Sequence, residues 1–524
     1  MPWRTRHYRQ QNLPTATTVC RSRIAVVTPG PLPELRPRPR HPCHDRSVAP
    51  PVTPARPAPQ ILAAAGLALA TLVLFWPGVA EYDTLVQYRQ IVTGRFDDWH
   101  PPVMARLWQA LLPLGGGTAP LLVVQLAGYW LGLGLIAEAL ARTGRARTGW
   151  AVLLVGLLPP LLGWQGVVLK DAQMVGAALA ATGVIARYRL RGAPVPLPAA
   201  ALAGLLFGYA LLVRANAVFA LAPLIAALCA RRRPLIATMA IVVAVLALSG
   251  PINHGLLGAA RSDVTKTQPL YDLAGIAART PGRSVAGLPP AAGDRLRAAG
   301  CVTPYFWDPL GDVPVCAAVI APLSARPAAP LYRALALEIA RHPLAYLMQR
   351  AAHLNMTWRW LVPADLPGAD PPSGGEPNDD GFRNPGKLAD AWQRLAALTV
   401  LTPLGWPIAW LALAIVLLDV TRHQSPSPTR RLAIGLLGSA LLLEASFAGI
   451  SPATDLRYHL WPIVAIALAG VLLARAIRPR APLIAAALAL VCVPAIVARV
   501  VLSPAPQDYD ALLRWRSPVA LLPQ

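Results

Sequence analysis

Apolar runs long enough to cross a bilayer recur along this chain from Ile61 onward, and arginines gather in every second gap between them. Crossing the hydrocarbon core takes roughly 17–25 mainly apolar residues in a helix. Such runs fall at 61–80, 119–141, 149–166, 172–189, 198–213, 215–230, 234–254, 395–419, 432–450, 458–476 and 481–502. The expected fold is therefore an all-α polytopic membrane protein with about eleven transmembrane helices. Composition agrees: 55% of the 524 residues are hydrophobic and only 14% charged, against about 25% charged in a soluble domain.

The arginines set the orientation. Clusters at Arg142, Arg145 and Arg147, at Arg187, Arg189 and Arg191, at Arg231, Arg232 and Arg233, at Arg422, Arg430 and Arg431, and at Arg475, Arg478 and Arg480 all fall on one side of the eleven spans. That side is expected to be cytoplasmic. A net charge of +23 would suggest nucleic acid in a soluble chain; here it marks topology, and no nucleic-acid binding is expected.

Five regions follow from this frame. Residues 1–59 are Pro- and Arg-rich without periodicity, contain no signal peptide, and read as a disordered cytoplasmic tail. Residues 60–254 form an N-terminal transmembrane module whose loop 81–102 faces outward. Residues 255–394 make a small periplasmic segment, 395–503 the C-terminal helices, and 504–524 a periplasmic tail. Within 103–114, Met104, Leu107, Trp108, Leu111 and Leu112 recur at helical spacing over too short a length to span. This is expected to be an amphipathic helix at the membrane interface after an extended loop.

Acidic, His, Lys and Gln residues collect on the side opposite the arginines. Asp83, Gln87, Asp97, Asp98 and His100 lie in the first outer loop, followed by Pro101 and Pro102, which open the interfacial helix. A carboxylate just past the first span suits a general base acting on a hydroxyl, or a ligand for a divalent metal. Lys170 is one of only three lysines, with Lys266 and Lys387. It stands beside Asp171 at an outer helix mouth, where it offers a point charge to a lipid phosphate or snorkels to the interface. Arg214 interrupts an apolar stretch and must face a polar cavity or the surface. Arg457, Tyr458 and His459 enter one short outer turn, as phosphate donors or as an interfacial anchor with Trp461. Lys266, Gln268, Tyr271 and Asp272 are candidates to line an acceptor side, while His342, His353, Trp358 and Trp360 read as packing residues. No GxGxxG, P-loop, GxSxG or HExxH pattern supports nucleotide binding or serine or zinc hydrolysis.

A first span, an outer-loop Asp83, and then His100-Pro101-Pro102 opening an interfacial helix resemble the GT-C superfold glycosyltransferases, among them the protein O-mannosyltransferases and lipid A aminoarabinose transferases. The architecture compares over residues 61–503, the motifs over some twenty. The resemblance implies transfer of a sugar from a polyprenyl-phosphate carrier to an envelope glycan, lipid or protein at the outer face of a bacterial inner membrane. It implies Asp83 as the base, inversion at the anomeric carbon, and a basic residue near Lys170 that neutralises the donor phosphate. Many relatives carry Asp-Glu where this chain has Asp83-Thr84, so the second carboxylate is unassigned, with Asp97 and Asp98 as candidates.

Two other classes compete. A transporter or flippase needs polar groups near the bilayer midplane, yet the main acids within spans are Glu138 and Glu444 and no duplicated half is visible. An O-antigen ligase or polymerase also has a large outer segment but lacks reason for the early Asp and His-Pro-Pro. Cys301 and Cys316, both in the periplasmic segment, are the expected disulfide partners, since Cys20 and Cys43 lie in the tail and Cys229 and Cys492 in spans.

Overall fold

The computed structural model describes residues 58–230 and 232–516. The predicted tail 1–59 lies outside them except for its last two residues, as do the final eight residues of the 504–524 tail. Within them the protein is helical, and no β-structure exceeds isolated bridges.

The first half comprises α1 (Pro59–Phe75), α2 (Tyr82–Thr93), α3 (Pro102–Leu111), α4 (Ala119–Arg142), α5 (Ala146–Val155), α6 (Pro159–Gln165), α7 (Lys170–Arg189), α8 (Leu197–Val213), α9 (Ala217–Cys229) and α10 (Pro234–Gly250). The 255–394 segment holds α11 (Thr267–Arg279), α12 (Pro290–Ala298), the single turn α13 (Pro309–Asp312), α14 (Pro314–Ser324), α15 (Ala328–Arg341), α16 (Pro343–Thr357) and the start of α17 (Lys387–Val400). Then come α18 (Pro407–Arg422), α19 (Pro428–Ile450), α20 (Leu460–Leu472), the turn α21 (Ala474–Ile477), α22 (Ala481–Val501) and α23 (Tyr509–Leu513).

Four helices among the described residues are long and apolar enough to cross a membrane: 119–142, 234–256, 428–450 and 474–501. Two bent pairs, 146–155 with 159–165 and 314–324 with 328–341, raise this to six if each is one span. The expected count of eleven is not met, for identifiable reasons. α1, α8 and α9 are apolar but have 17, 17 and 13 residues. The run 149–166 is bent by 61° where Gly156–Leu158 lead into Pro159. The run 395–419 is cut at Thr402-Pro403, so that α17 and α18 are separate helices. α7 carries Lys170, Asp171, Arg187 and Arg189 at its two ends.

The bundle is organised on α4 and α7, which approach through glycines. A Cβ on Gly132 would fall inside the backbone of Leu179, and one on Gly183 would strike the Gly132 carbonyl. Gly128 and Gly132 are spaced as in GxxxG, the pattern that lets helix backbones meet closely. Trp108, Trp130, Tyr129 and Trp461 are among the large side chains fully buried in the surrounding core.

The arginine loops meet at one end of this bundle. Arg145 donates to Thr429 Oγ1 and to the Leu472 carbonyl, each at 3.0 Å. Glu138 pairs with Arg142 at 2.9 Å and Arg187 at 3.3 Å. The 255–394 segment forms its own core around Leu270, Tyr271 and Leu273, and Cys301 and Cys316 are joined there as a disulfide. It docks on the other end of the bundle, where Arg350 donates to the Ser451 carbonyl at 2.7 Å and Leu456 N–H to that of Gly368 at 2.8 Å.

Candidate functional site

The loop 81–102 is not extended, as expected from sequence, but folds largely into α2. Tyr82 stands exposed while Asp83, Thr84, Gln87 and Gln90 are buried. The helix thus buries its polar stripe, at the i, i+4, i+7 spacing of Asp83, Gln87 and Gln90. α3 follows with Met104, Ala105 and Trp108 buried, so the short amphipathic helix packs its apolar face into the protein.

Backbone pairing places the catalytic candidates. Val79 N–H donates to the Gly166 carbonyl at 3.0 Å, and Val168 N–H to that of Val79 at 2.9 Å. Four residues beyond Val79 and two beyond Val168, Asp83 and Lys170 come face to face. Thr84 Oγ1 donates to the Val168 carbonyl at 2.7 Å and locks the first turn of α2 against this link. A second bridge ties Asp98 N–H to the Ala260 carbonyl at 3.0 Å and fixes the segment that leads to His100.

Lys170 Nζ lies 2.5 Å from Asp83 Oδ2 and 2.9 Å from His100 Nδ1. Arg457, from the turn before α20, sits 3.2 Å from the same Asp83 oxygen and 3.0 Å from Glu81 Oε2. Its far side is 3.2 Å from Asp455 Oδ2. Arg214, at the break between α8 and α9, forms an ion pair with Asp171 and donates to Asn216 Oδ1 at 2.7 Å. The Tyr458 ring lies between the two guanidinium groups, 4.3 Å from that of Arg214 and 5.7 Å from that of Arg457. Five separate stretches of sequence converge on this one place.

The electrostatics follow from crowding and burial. Burial pushes the Asp83 carboxyl up, but Arg457, Lys170 and His100 outweigh it and hold Asp83 well below the usual carboxylate range. Burial likewise dominates at Glu81, where Arg457 only partly offsets it and the carboxyl is raised to about 7. His100 is depressed to about 3 by burial and by Lys170, so its imidazole is neutral at physiological pH. Lysine can only donate, which makes Nδ1 the acceptor and puts the ring proton on Nε2. That nitrogen is buried without a hydrogen-bond partner, 3.7 Å from Asp83 Oδ1.

Of the residues singled out from sequence, Asp83, His100, Lys170, Arg214, Arg457 and Tyr458 meet here. Others do not. Asp97 accepts from Trp99 N–H at 3.0 Å, and Asp98 from the Ser262 amide and hydroxyl at 2.6 and 2.7 Å, so neither joins the cluster. The carboxylate that does is Glu81, two residues before Asp83. Gln87 is buried beside Asp83 and reaches only that residue's carbonyl, at 3.3 Å. His459 points away from the cluster and pairs with Glu444 at 2.8 Å against the Phe447 ring. Lys266, Gln268, Tyr271 and Asp272 are tied to Ser324, Gly449, Thr303 and Arg350, respectively, and hold the 255–394 segment together and to the bundle.

Gln90 was not anticipated. Its carboxamide is buried with neither atom partnered, and Gln87 Oε1 is in the same condition. Among the described residues no three His, Cys, Asp or Glu side chains gather as a metal ion would need.

Family models, curated proteins and solved structures offer no match to this chain. Its class therefore rests on its own fold and chemistry: a helical protein with several membrane-capable helices and a buried cluster of acids and bases at one end of the bundle.

Proposed function

We propose that this protein is a membrane glycosyltransferase of the GT-C type, which transfers a sugar from a polyprenyl-phosphate carrier to a cell-envelope acceptor on the outer face of the bacterial inner membrane. The observation that carries this reading is the convergence of Asp83, Lys170, His100 and Arg457. Buried charge near a membrane is costly to maintain and marks function by default.

The chemistry is a displacement at the anomeric carbon. Asp83 accepts the proton of the acceptor hydroxyl as its oxygen bonds to that carbon, and the bond to the phosphate oxygen breaks. The electron pair leaves on the polyprenyl phosphate, where Lys170, Arg457 and Arg214 stabilise the developing charge. Asp83 clamped by two cations is a weak base. A donor phosphate that draws Lys170 and Arg457 toward itself restores that basicity, so donor binding precedes deprotonation. His100 Nε2–H, Gln87 Oε1 and the Gln90 carboxamide suit the hydroxyls of the acceptor.

In this reading α4, α10, α19 and the 474–501 helix are among the spans, with the arginine end cytoplasmic. Reporter fusions at Arg232 should then read cytoplasmic and those at Ser373 periplasmic. The activity test is release of polyprenyl phosphate from purified protein given a panel of polyprenyl-phosphate-linked hexoses and pentoses with envelope acceptors. Movement of the intact carrier across vesicles, without release, would favour the flippase reading instead.

A further inference from the structure

At the arginine end of the bundle lies a cavity of about 700 Å³, walled by the ends of α7 and α9, the start of α10 and the turn into α19. Among the described residues its lining contains Arg189, Arg430 and Arg431 and no acidic residue; the rest is alanine, leucine, isoleucine, proline, glycine and one serine.

These arginines differ from their neighbours. Arg142 and Arg187 meet Glu138, and Arg145 is engaged by Thr429 and Leu472. Arg189 has its Nε buried without a hydrogen-bond partner. Arg430 spends its Nε on the Thr421 carbonyl at 2.7 Å, which fixes the plane of its guanidinium at the cavity wall. Cations grouped against an apolar wall with no acid among them attract an anion. The guanidinium fork matches phosphate oxygens in particular.

The apolar part of the lining says which kind of phosphate. It continues onto α10, where Thr238 alone is buried and Leu235, Ile236, Met239 and Val243 stand exposed. Such a surface takes hydrocarbon. Basic pockets between membrane helices on the cytoplasmic side commonly receive anionic head groups.

We propose that this cavity binds an anionic phospholipid, its phosphate held by Arg189, Arg430 and Arg431 and its acyl chains laid along α10. The proposal is independent of the glycosyltransferase reading, because it concerns the opposite end of the bundle.

Native mass spectrometry of the full chain in mild detergent tests it, with phosphatidylglycerol and phosphatidylcholine of matched acyl chains as probes. We expect one phosphatidylglycerol retained with at least tenfold preference, and loss of that preference in the double variant Arg189→Gln/Arg430→Gln. Arg478→Gln/Arg480→Gln, at the same basic end but outside the cavity, should keep it. Equal retention of both lipids by the wild type, or unchanged preference in the first double variant, overturns the proposal. Displacement of the lipid by inorganic phosphate at equal concentration would reassign the cavity to a soluble anion and equally overturn it. A second measurement needs only the wild type: phosphatidylglycerol should raise the unfolding temperature above that in phosphatidylcholine, and no difference counts against the site.

Discussion

The two ends of the bundle handle charge in opposite ways. At the arginine end, Glu138 answers Arg142 and Arg187, and Arg145 and Arg430 rest on carbonyls and hydroxyls. At the other end a single carboxylate, Asp83, meets Lys170, Arg457 and His100 within one buried cluster, and Arg457 in turn meets Glu81 and Asp455. At the arginine end the cations Arg142 and Arg187 stay partly exposed around the one buried Glu138, and exposed charges are each worth little. Charges drawn together out of water carry a desolvation penalty that good geometry only partly repays. In the proposed reading the difference separates an anchoring end from a working one.

Five experiments can break or sharpen that contrast. The largest effect is expected from Asp83→Asn, which should lower the transfer rate by roughly 10²–10⁴-fold if Asp83 is the general base. Most activity surviving in the folded variant would remove the site from the chemistry. Lys170→Met should reduce kcat by about 10²–10³-fold, the range for loss of one donor aimed at developing charge; a change confined to acceptor KM would reassign it. Gln90→Leu should raise acceptor KM about fivefold with kcat unchanged, as for one lost hydrogen bond. An effect on the donor side alone would contradict its placement.

The fourth experiment is a pH profile. The Glu81 carboxyl is raised to about 7, so it is largely neutral at pH 6 and ionised at pH 8. Its ionised form competes with the donor phosphate for Arg457, and donor KM should rise severalfold across that interval. Glu81→Gln should flatten the rise. The same shift bears on stability: with its folded value raised above the ordinary 4.5, Glu81 contributes stability present below about pH 4.5 that is lost as pH climbs through 7. The smallest effect belongs to the other end, where Arg478→Ala should leave transfer unchanged within error. A loss there matching that of Lys170→Met would erase the distinction between the two ends.

Sequence reasoning found the members of the cluster from the residues, and their grouping only through the resemblance. Asp83, Lys170, Arg214 and Arg457 each stood out because a charge interrupts or borders an apolar run. Nothing in the runs themselves says that Val79 pairs with Val168 and so brings Asp83 to Lys170. Glu81 was overlooked because a carboxylate in a polar loop ordinarily faces solvent. α2 was missed because its buried face is the polar one, the reverse of the pattern by which amphipathic helices are recognised. His459 shared a motif with Arg457, yet two residues along a tight helical turn point to different sides. Gly128 and Gly132 offered a signal, the GxxxG spacing, that was legible and went unread.

By itself the sequence determined the helical, membrane-capable character of the protein and the sorting of arginines to alternate loops. Both are properties of local composition, since hydropathy and charge act residue by residue. The length of each helix, the break at Thr402-Pro403 and the bend before Pro159 required the tertiary structure, because bending depends on what packs against a segment. The site required it most. Asp83, His100, Lys170 and Arg457 are dispersed over more than 370 residues of chain, and the bridges at Val79 and Asp98 with the turn before α20 bring them within hydrogen-bonding reach.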